Sequence, residues 1–238
     1  MPVVYPRQRS ARRHLLGMRF VNKVVVLLVA ASLPATASQA ASENEPPKVE
    51  AELLSRVETK DPVVFVTIDD GHTRSIAAQR TLDQLGWPVT SFVLTRPFAS
   101  DPSYFQTIGR GSELGNHTIS HKDMKTLSFA DQKREICNAQ KVFRKKSSNA
   151  PVFFRPPYGR LNQETLKAAA SCGITHVVLW KVVVSDGRIA TQGGPIRRGD
   201  VILLHYVKSL DKSLKVLDLK LRSLGLRPAL LGNYLSEK

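Results

Sequence analysis

The succession of strand-like and helix-like segments is the feature of this sequence that most restricts its fold. From residue 62 onward, short runs rich in β-branched residues alternate with longer segments of helical periodicity. Because parallel strands need a crossover connection, single helices between successive strands predict a parallel sheet, either open and doubly wound or closed into a barrel. The predicted strands span 63–68, 89–94, 152–155, 175–183 and 200–205, with a candidate last strand at 227–231, and the predicted helices span 74–85, 102–110, 128–145, 163–171 and 210–224.

Polar side chains at the ends of the predicted strands favour the barrel. In a parallel α/β barrel, the loops that follow the C-terminal ends of the strands converge on one face. We therefore predict an α/β fold with a single (β/α) barrel of seven to eight strands, distorted or incomplete, and a site at that face. The polar residues in question are Asp69, Asp70, Arg155, Asp186 and His205, with His117 and His121 in another such loop.

The N-terminal segment has the layout of a secretory signal peptide. The first 42 residues contain six basic residues and no acidic one, and they include an apolar run over 24–33 followed by small residues over 35–41. This run is shorter than the ~20 apolar residues that span a bilayer, so we expect no stable membrane span once the signal is removed. We predict a signal peptide over 1–40, a linker or N-terminal arm over 41–61 and one domain over 62–238, secreted or associated with the cell envelope.

The sequence leaves open how the chain is exported and whether its two cysteines are paired. Translation could start at Met1 or at Met18, and Arg12-Arg13 loosely resembles a twin-arginine export signal. Cys137 and Cys172 would meet an oxidising compartment, where they could pair. Because each cysteine is assigned to a predicted helix, the alternative hypothesis is that both are buried free thiols.

The excess of basic residues does not indicate nucleic-acid binding. The chain has 35 Lys and Arg against 20 Asp and Glu, but it has no Lys/Arg-rich recognition helix, aromatic ribonucleoprotein motif or zinc-finger spacing. An exported basic protein meets anionic envelope polymers first, and a merely solvated basic surface has the same composition. We therefore expect no nucleic-acid partner, and the sequence holds no signal for an oligomeric state.

Two adjacent carboxylates follow the first predicted strand, in the segment Thr67-Ile68-Asp69-Asp70-Gly71. Neighbouring residues that leave a strand point in different directions, so one carboxylate can bind a metal while the other faces a bound water. Taken alone, such a pair is more typical of a turn than of a site.

Two histidines four residues apart form a second candidate motif, His117-Thr118-Ile119-Ser120-His121. This spacing places both imidazoles on one face of a helical segment, as in other zinc motifs. Two histidines and one carboxylate are a recurrent ligand set that leaves coordination positions free for water and substrate. Surface histidines without a metal are the alternative.

An arginine and two prolines form a third unusual segment, Arg155-Pro156-Pro157-Tyr158-Gly159. The prolines predict a rigid, extended turn at a strand end. Such a loop can hold a backbone N–H toward an oxyanion, although a simple strand terminator would have the same sequence.

In their order along the chain, these three segments and Leu203-Leu204-His205 resemble the motifs of the polysaccharide deacetylase family, also called the NodB-homology domain or carbohydrate esterase family four. The resemblance covers about 62–234. It implies that 62–238 is a polysaccharide deacetylase catalytic domain.

The resemblance also implies a metal and a base. A divalent metal, most often zinc and alternatively cobalt, would be bound by Asp70, His117 and His121. Asp69 would be the general base that activates the attacking water.

Further roles follow from the resemblance for residues around the metal. His205 would protonate the departing amine, and Arg155 would orient the base. The backbone N–H of Tyr158 would stabilise the oxyanion, and Leu203 would line the slot for the acetyl methyl group.

One segment departs from the family pattern. The family's fourth segment normally supplies two aspartates and a tryptophan, but its counterpart at 183–187 keeps only Asp186. Val183 stands in place of the first aspartate and Gly187 in place of the tryptophan. These residues normally support the arginine and the histidine and form a wall of the acetyl pocket. We expect Asp186 or Trp180 to compensate for the missing aspartate and tryptophan. We also expect Trp180 and Tyr158 to contact the substrate.

The resemblance therefore predicts a metal-dependent hydrolase that removes N-acetyl groups from an extracellular polysaccharide, either peptidoglycan or chitin and its oligosaccharides. An O-acetyl esterase acting on acetyl-xylan would use the same residues. A third hypothesis is a glycan-binding family member that has lost catalytic activity because its fourth segment is altered.

Overall fold

The computed structural model describes residues 50–147 and 149–235, which fall within one compact unit. The predicted signal peptide and the first part of the predicted arm, 41–49, lie outside the described residues. No helix in the described part of the chain is both long enough and apolar enough to cross a membrane.

A sheet of ten strands is the framework of the described part of the chain. Its strands are β1 (Glu52–Leu54), β2 (Val63–Asp70), β3 (Val89–Val93), β4 (Ser112–Asn116), β5 (Phe153–Phe154), β6 (His176–Val178), β7 (Val182–Ser185), β8 (Arg188–Thr191), β9 (Val201–His205) and β10 (Arg227–Pro228). Their order is β1-β6-β5-β4-β3-β2-β9-β7-β8, and β10 pairs with the start of β2. All these pairings are parallel except that of β7 with β8, which form an antiparallel hairpin.

In the described residues, seven α-helices connect or follow the strands. They are α1 (Ile76–Leu85), α2 (Thr95–Ser100), α3 (Pro102–Thr107), α4 (Phe129–Ser147), α5 (Gln163–Ser171), α6 (Leu210–Ser223) and α7 (Gly232–Leu235). The signals that bound α1 are local: the Ser75 side chain accepts a hydrogen bond from the Ala78 N–H, and Gly86 ends the helix with φ 64°.

The sheet curls around an apolar interior, which gives the fold its barrel character. Side chains from strands that are distant in the sheet order, including Leu54 of β1 and Val201 of β9, belong to one buried cluster with Phe65, Phe92 and Phe153. A larger cluster lies on the other face of the sheet, where the strands pack against α1, α3, α4 and α6. The α/β class and the distorted barrel predicted from the sequence are therefore confirmed.

Alternation along β2 sets the position of the site. Val64, Val66 and Ile68 pack in the outer cluster, whereas Val63 and Phe65 pack in the interior cluster. Because successive side chains of a strand point to opposite faces, Thr67 and Asp69 lie on the interior face. The strand therefore delivers a carboxylate to the barrel interior at its C-terminal end.

Several sequence predictions of the elements are corrected by the structure. The sheet has ten strands rather than seven or eight, and the segment 175–183 contains two strands, β6 and β7, rather than one. The arm predicted over 41–61 is not a linker in its described part, because β1 pairs with β6 and both Ala51 and Val57 are buried. The core therefore begins about ten residues earlier than the composition predicted.

A disulfide joins Cys137 of α4 to Cys172, which caps the end of α5, and the described residues contain no free cysteine. The two Cα atoms are 4.9 Å apart. Of the two alternatives left open by the sequence, the structure has the disulfide.

Candidate active site

Asp70, His117 and His121 meet at the C-terminal ends of β2 and β4. Asp70 is the last residue of β2, and His117 directly follows β4. The Asp70 Oδ1 atom lies 3.4 Å from Nε2 of each histidine. Each residue offers one potential ligand atom, and these three atoms all lie within 4.8 Å of one another. The structure thus brings together the three residues predicted to bind a metal.

Unusual backbone conformations position these side chains. Asp70, Thr118, His121 and Tyr158 have φ between 57° and 78°, a region that non-glycine residues seldom adopt. Among the described residues only one other non-glycine residue, Asp186, has positive φ. Strained conformations of this kind cost about 1–3 kcal/mol each and concentrate where function requires them.

The loop that carries the two histidines is fixed by hydrogen bonds from its own side chains. The Asn116 Oδ1 atom accepts from the Thr118 N–H at 2.8 Å, and the Thr118 Oγ1 atom accepts from the His121 N–H at 3.0 Å. Asn116 is fully buried, and its amide group donates to the Gln140 side chain. Asn116 was not among the site residues predicted from the sequence, although it directly precedes His117.

The three residues fit a divalent cation. The Asp70 Oδ1 atom is buried and has no hydrogen-bond partner in the described protein, which is costly unless another positive group pairs with it. The Nδ1 atom of His117 lies 2.7 Å from the Arg155 carbonyl oxygen. If Nδ1 donates to that carbonyl, Nε2 is left with the lone pair directed toward Asp70, as in many metal-binding histidines.

The protonation states of these candidate ligands also suit the binding of a cation. Burial raises the pKa of the Asp70 carboxyl, but the neighbouring histidines, His117 above all, lower it by more. The pKa of Asp70 therefore lies below its usual value. Burial and the nearby His117 lower the pKa of His121. Both shifts favour the forms that bind cations, an ionised carboxylate and a neutral imidazole.

A buried ion pair holds Asp69 beside these three residues. The Arg155 Nη1 atom donates to the Asp69 Oδ1 atom at 2.7 Å, and both side chains are almost completely buried. The second carboxylate oxygen, Oδ2, lies 3.9 Å from the His117 Nε2 atom. One oxygen of Asp69 is thus fixed while the other faces the candidate metal site.

Arg155 is held from several sides. Its guanidinium also donates to Thr67 Oγ1 at 2.7 Å and to the carbonyl oxygens of Val178 and Leu179, and it lies 4.2 Å from the centroid of the Phe92 ring. Thr67 was noted in the sequence only as part of the Asp motif. Its hydroxyl donates to the Ile202 carbonyl at 2.7 Å, so it links the arginine to β9.

His205 and Leu203 lie next to the pair on β9. In the register of β2 and β9, Asp69 is aligned with His205 and Thr67 with Leu203. Aligned residues of neighbouring strands share a face, so both side chains face the barrel interior. His205 is half-buried, and Leu203 is 3% exposed.

Tyr158 and Trp180 lie on the other side of the site. Tyr158 is 63% exposed, and the centroid of its ring is 4.6 Å from that of the His121 ring. The Trp180 ring packs so closely against Gly159 that a Cβ atom there would lie 2.8 Å from it. The Trp180 Nε1 atom is buried without a hydrogen-bond partner in the described residues. Tyr158 therefore lies against His121, one of the three candidate ligands, whereas Trp180 lies against Gly159 and 5.6 Å from the Arg155 guanidinium.

The structure does not bring Asp186 into this group. Asp186 and Gly187 form the two-residue turn between β7 and β8, with φ of 51° and 74°, values typical of a type I′ hairpin. The Asp186 carboxylate is exposed and accepts a hydrogen bond from Ser209. Val183 is aligned with Leu203 of β9, so an apolar side chain stands there beside the site.

Comparisons with known proteins agree with this architecture. The family model described as polysaccharide deacetylase matches residues 56–177. A peptidoglycan-N-acetylmuramic acid deacetylase of Bacillus subtilis is 30% identical, over 69% of this chain and 37% of its own length. A chitooligosaccharide deacetylase of Sinorhizobium fredii is 28% identical, over 64% of this chain and 75% of its own length. The chain spans 62% or less of the first two curated relatives that it matches.

A similar fold is present among solved structures. A peptidoglycan N-acetylglucosamine deacetylase, crystallised with 4-naphthalen-1-yl-N-oxidanyl-benzamide, superimposes with a TM-score of 0.68. The superposition covers 79% of this chain and 94% of that one, at 23% sequence identity. The likeness shows that the two chains share a fold.

Proposed function

The chain belongs to the polysaccharide deacetylase family, and from this premise we propose that it is a metal-dependent hydrolase that removes N-acetyl groups from an extracellular glycan. Peptidoglycan and chitin or its oligosaccharides are the candidate substrates. The observation that carries the proposal is the geometry of Asp70, His117 and His121, with the Asp69–Arg155 pair directly beside them.

The three ligands define the cofactor that we propose. Two imidazole nitrogens and one carboxylate are ligands that Zn²⁺ binds readily, and Co²⁺ accepts the same set. A divalent cation there would polarise the acetyl carbonyl group and make a nearby water more acidic.

Asp69 and His205 would move the protons. With its Oδ1 atom held by Arg155, Asp69 presents Oδ2 as the proton acceptor for the attacking water, and Arg155 acts by orienting it. His205, on the neighbouring strand, would donate a proton to the departing amine. We assign no proton transfer to Asp186, because its carboxylate is bonded to Ser209 in an exposed turn.

The remaining residues would bind the acetyl group. The backbone N–H of Tyr158, held in a left-handed conformation by the proline-rich turn, is the proposed donor to the oxyanion. Leu203 would contact the acetyl methyl group, and the exposed Tyr158 ring and Trp180 would contact the sugar.

Export is a further part of the proposal. The layout of residues 1–40 is that of a signal peptide, and the Cys137–Cys172 disulfide is the kind of bond that persists in secreted and envelope proteins. Both features support a location outside the cytoplasm or in the cell envelope.

The proposal predicts acetate release that depends on metal. Residues 41–238, loaded with Zn²⁺ or Co²⁺, should release acetate from N-acetylglucosamine oligomers or from peptidoglycan, and chelation should abolish the release. Acetate from acetyl-xylan but from no N-acetylated glycan would identify an O-acetyl esterase instead. If the metal-loaded protein released no acetate from any of these glycans, the hydrolase proposal would be wrong and a glycan-binding role would replace it.

A further inference from the structure

A row of aligned residues runs from Asp69 across four strands to an arginine that has no assigned role. Asp69 of β2 is aligned with His205 of β9. Val183 of β7 is aligned with Leu203 of β9, and continuing that register by two residues places Ser185 beside His205. Ser185 is in turn aligned with Arg188 of β8. Since aligned residues share a face, Arg188 and the proposed catalytic pair lie on one face, at the same edge of the sheet.

The β7–β8 hairpin has one packed face and one open face. Val182, Val184 and Ile189 pack in or against the outer cluster. Alternation therefore assigns Val183, Ser185, Arg188 and Ala190 to the other face. These four side chains line an open cavity of about 470 Å³ together with Asp186 and Lys212. The face that carries His205 thus also carries this cavity, and none of the proposed catalytic residues lines it.

The charge of this cavity is unbalanced. Neither the Arg188 guanidinium nor the Lys212 ammonium has an ion pair or hydrogen bond within the described part of the chain. Asp186, the acidic residue of the lining, is engaged by Ser209 instead. Lys212 lies over the turn, where a Cβ atom at Gly187 would come within 2.9 Å of its Cε atom. Two unpaired cations in a cavity beside a substrate site are complementary to an anion.

We propose that Arg188, assisted by Lys212, is a specificity-determining residue that binds a carboxylate carried by the glycan. This inference rests on the proposed function. Three strand spacings separate Asp69 from Arg188, roughly 14 Å between backbones, so the carboxylate belongs to a sugar or substituent next to the N-acetyl group that reacts. A planar guanidinium matches a carboxylate with two parallel hydrogen bonds. The preferred substrate class is therefore an acidic N-acetylated glycan, such as one containing N-acetylmuramic acid, over a neutral chitin oligomer.

The test compares one acidic oligomer with its own neutral derivative. An N-acetylglucosamine–N-acetylmuramic acid oligomer is used as such and after conversion of its carboxylates to methylamides. The measured quantity is the preference, the ratio of kcat/KM for the acidic oligomer to that for the amidated one. We expect the metal-loaded wild type to prefer the acidic oligomer, and Arg188→Ala to lower that preference about tenfold, the size typical of a hydrogen bond to a charged group. Arg188→Lys should retain part of the preference, and Arg188→Glu should reverse it.

Arg80→Ala is the matched control, since Arg80 is also an exposed arginine but lies on α1, and it should leave the preference unchanged. Equal rates of the wild type on both oligomers, or an equal loss of preference in Arg80→Ala and Arg188→Ala, would overturn the inference. Acetate release from chitin oligomers but from neither of these two oligomers would also overturn the inference, whereas no release from any of the glycans would mean that the proposed function fails. Binding of the two oligomers would then decide the inference: it holds if only the acidic one binds about tenfold more weakly to Arg188→Ala, and it is wrong otherwise.

Discussion

Replacing Asp69 by asparagine should lower kcat for acetate release by about 10²–10⁴-fold, the usual contribution of a positioned general base. Asparagine keeps the size of the side chain but cannot accept a proton at neutral pH. The Oδ2 atom, which faces the candidate metal site 3.9 Å from His117 Nε2, is the atom whose basicity the substitution removes. The rate is measured as acetate release from an N-acetylglucosamine oligomer at saturating substrate.

The matching control is Asp83→Asn, an exposed aspartate of α1, which should release acetate at the wild-type rate. Zinc content should stay stoichiometric in Asp69→Asn, because Asp69 is not one of the three proposed ligands. A variant that binds zinc, folds and retains the wild-type rate would remove Asp69 from the mechanism.

Replacing Arg155 by methionine should lower the free energy of unfolding by about 3–5 kcal/mol, as expected when one partner of a buried ion pair is lost. The substitution leaves the buried Asp69 carboxylate without its charged donor and removes the hydrogen bonds to Thr67 and to two main-chain carbonyls. Urea unfolding monitored by circular dichroism gives the change, provided that the m value stays constant.

Arg160→Met is the control for this prediction. Arg160 also forms an ion pair, with Asp123 at 2.8 Å, but its side chain is 57% exposed, and exposed pairs contribute about 0–1 kcal/mol. Losses of similar size in the two variants would contradict the structural role of Arg155. The double variant Asp69→Asn, Arg155→Met should cost less than the sum of the single changes, because the two residues contact each other.

The barrel could be predicted because its strongest strands carry local signals. β2 and β9 are runs of apolar and β-branched residues, and α1 ends at Gly86, whose conformation few other residues adopt. β4 was missed because its sequence, Ser-Glu-Leu-Gly-Asn, has no β-branched residue, and only pairing with β3 and β5 makes it a strand. β1 has three residues, too few for a period to be visible.

The residues of the site were accessible to sequence analysis, but their geometry was not. Asp69, Asp70, Arg155 and His205 were identified because each lies at or just past the C-terminal end of a predicted strand. The left-handed conformations of Asp70 and His121, and the anchoring of their loop by Asn116, depend on contacts between distant segments. The prediction for Asp186 rested on its place in a motif. That motif becomes a hairpin turn here, because Asp-Gly is a favoured sequence for the type I′ conformation.

The metal content of purified variants tests the central claim most directly. After dialysis against zinc and removal of the unbound ion, the wild type should retain one zinc per chain. His117→Ala and His121→Ala should each lose stoichiometric zinc. His176→Gln, at a histidine beside Glu52 of β1, should retain it. Full zinc in both ligand variants would contradict the site formed by Asp70, His117 and His121.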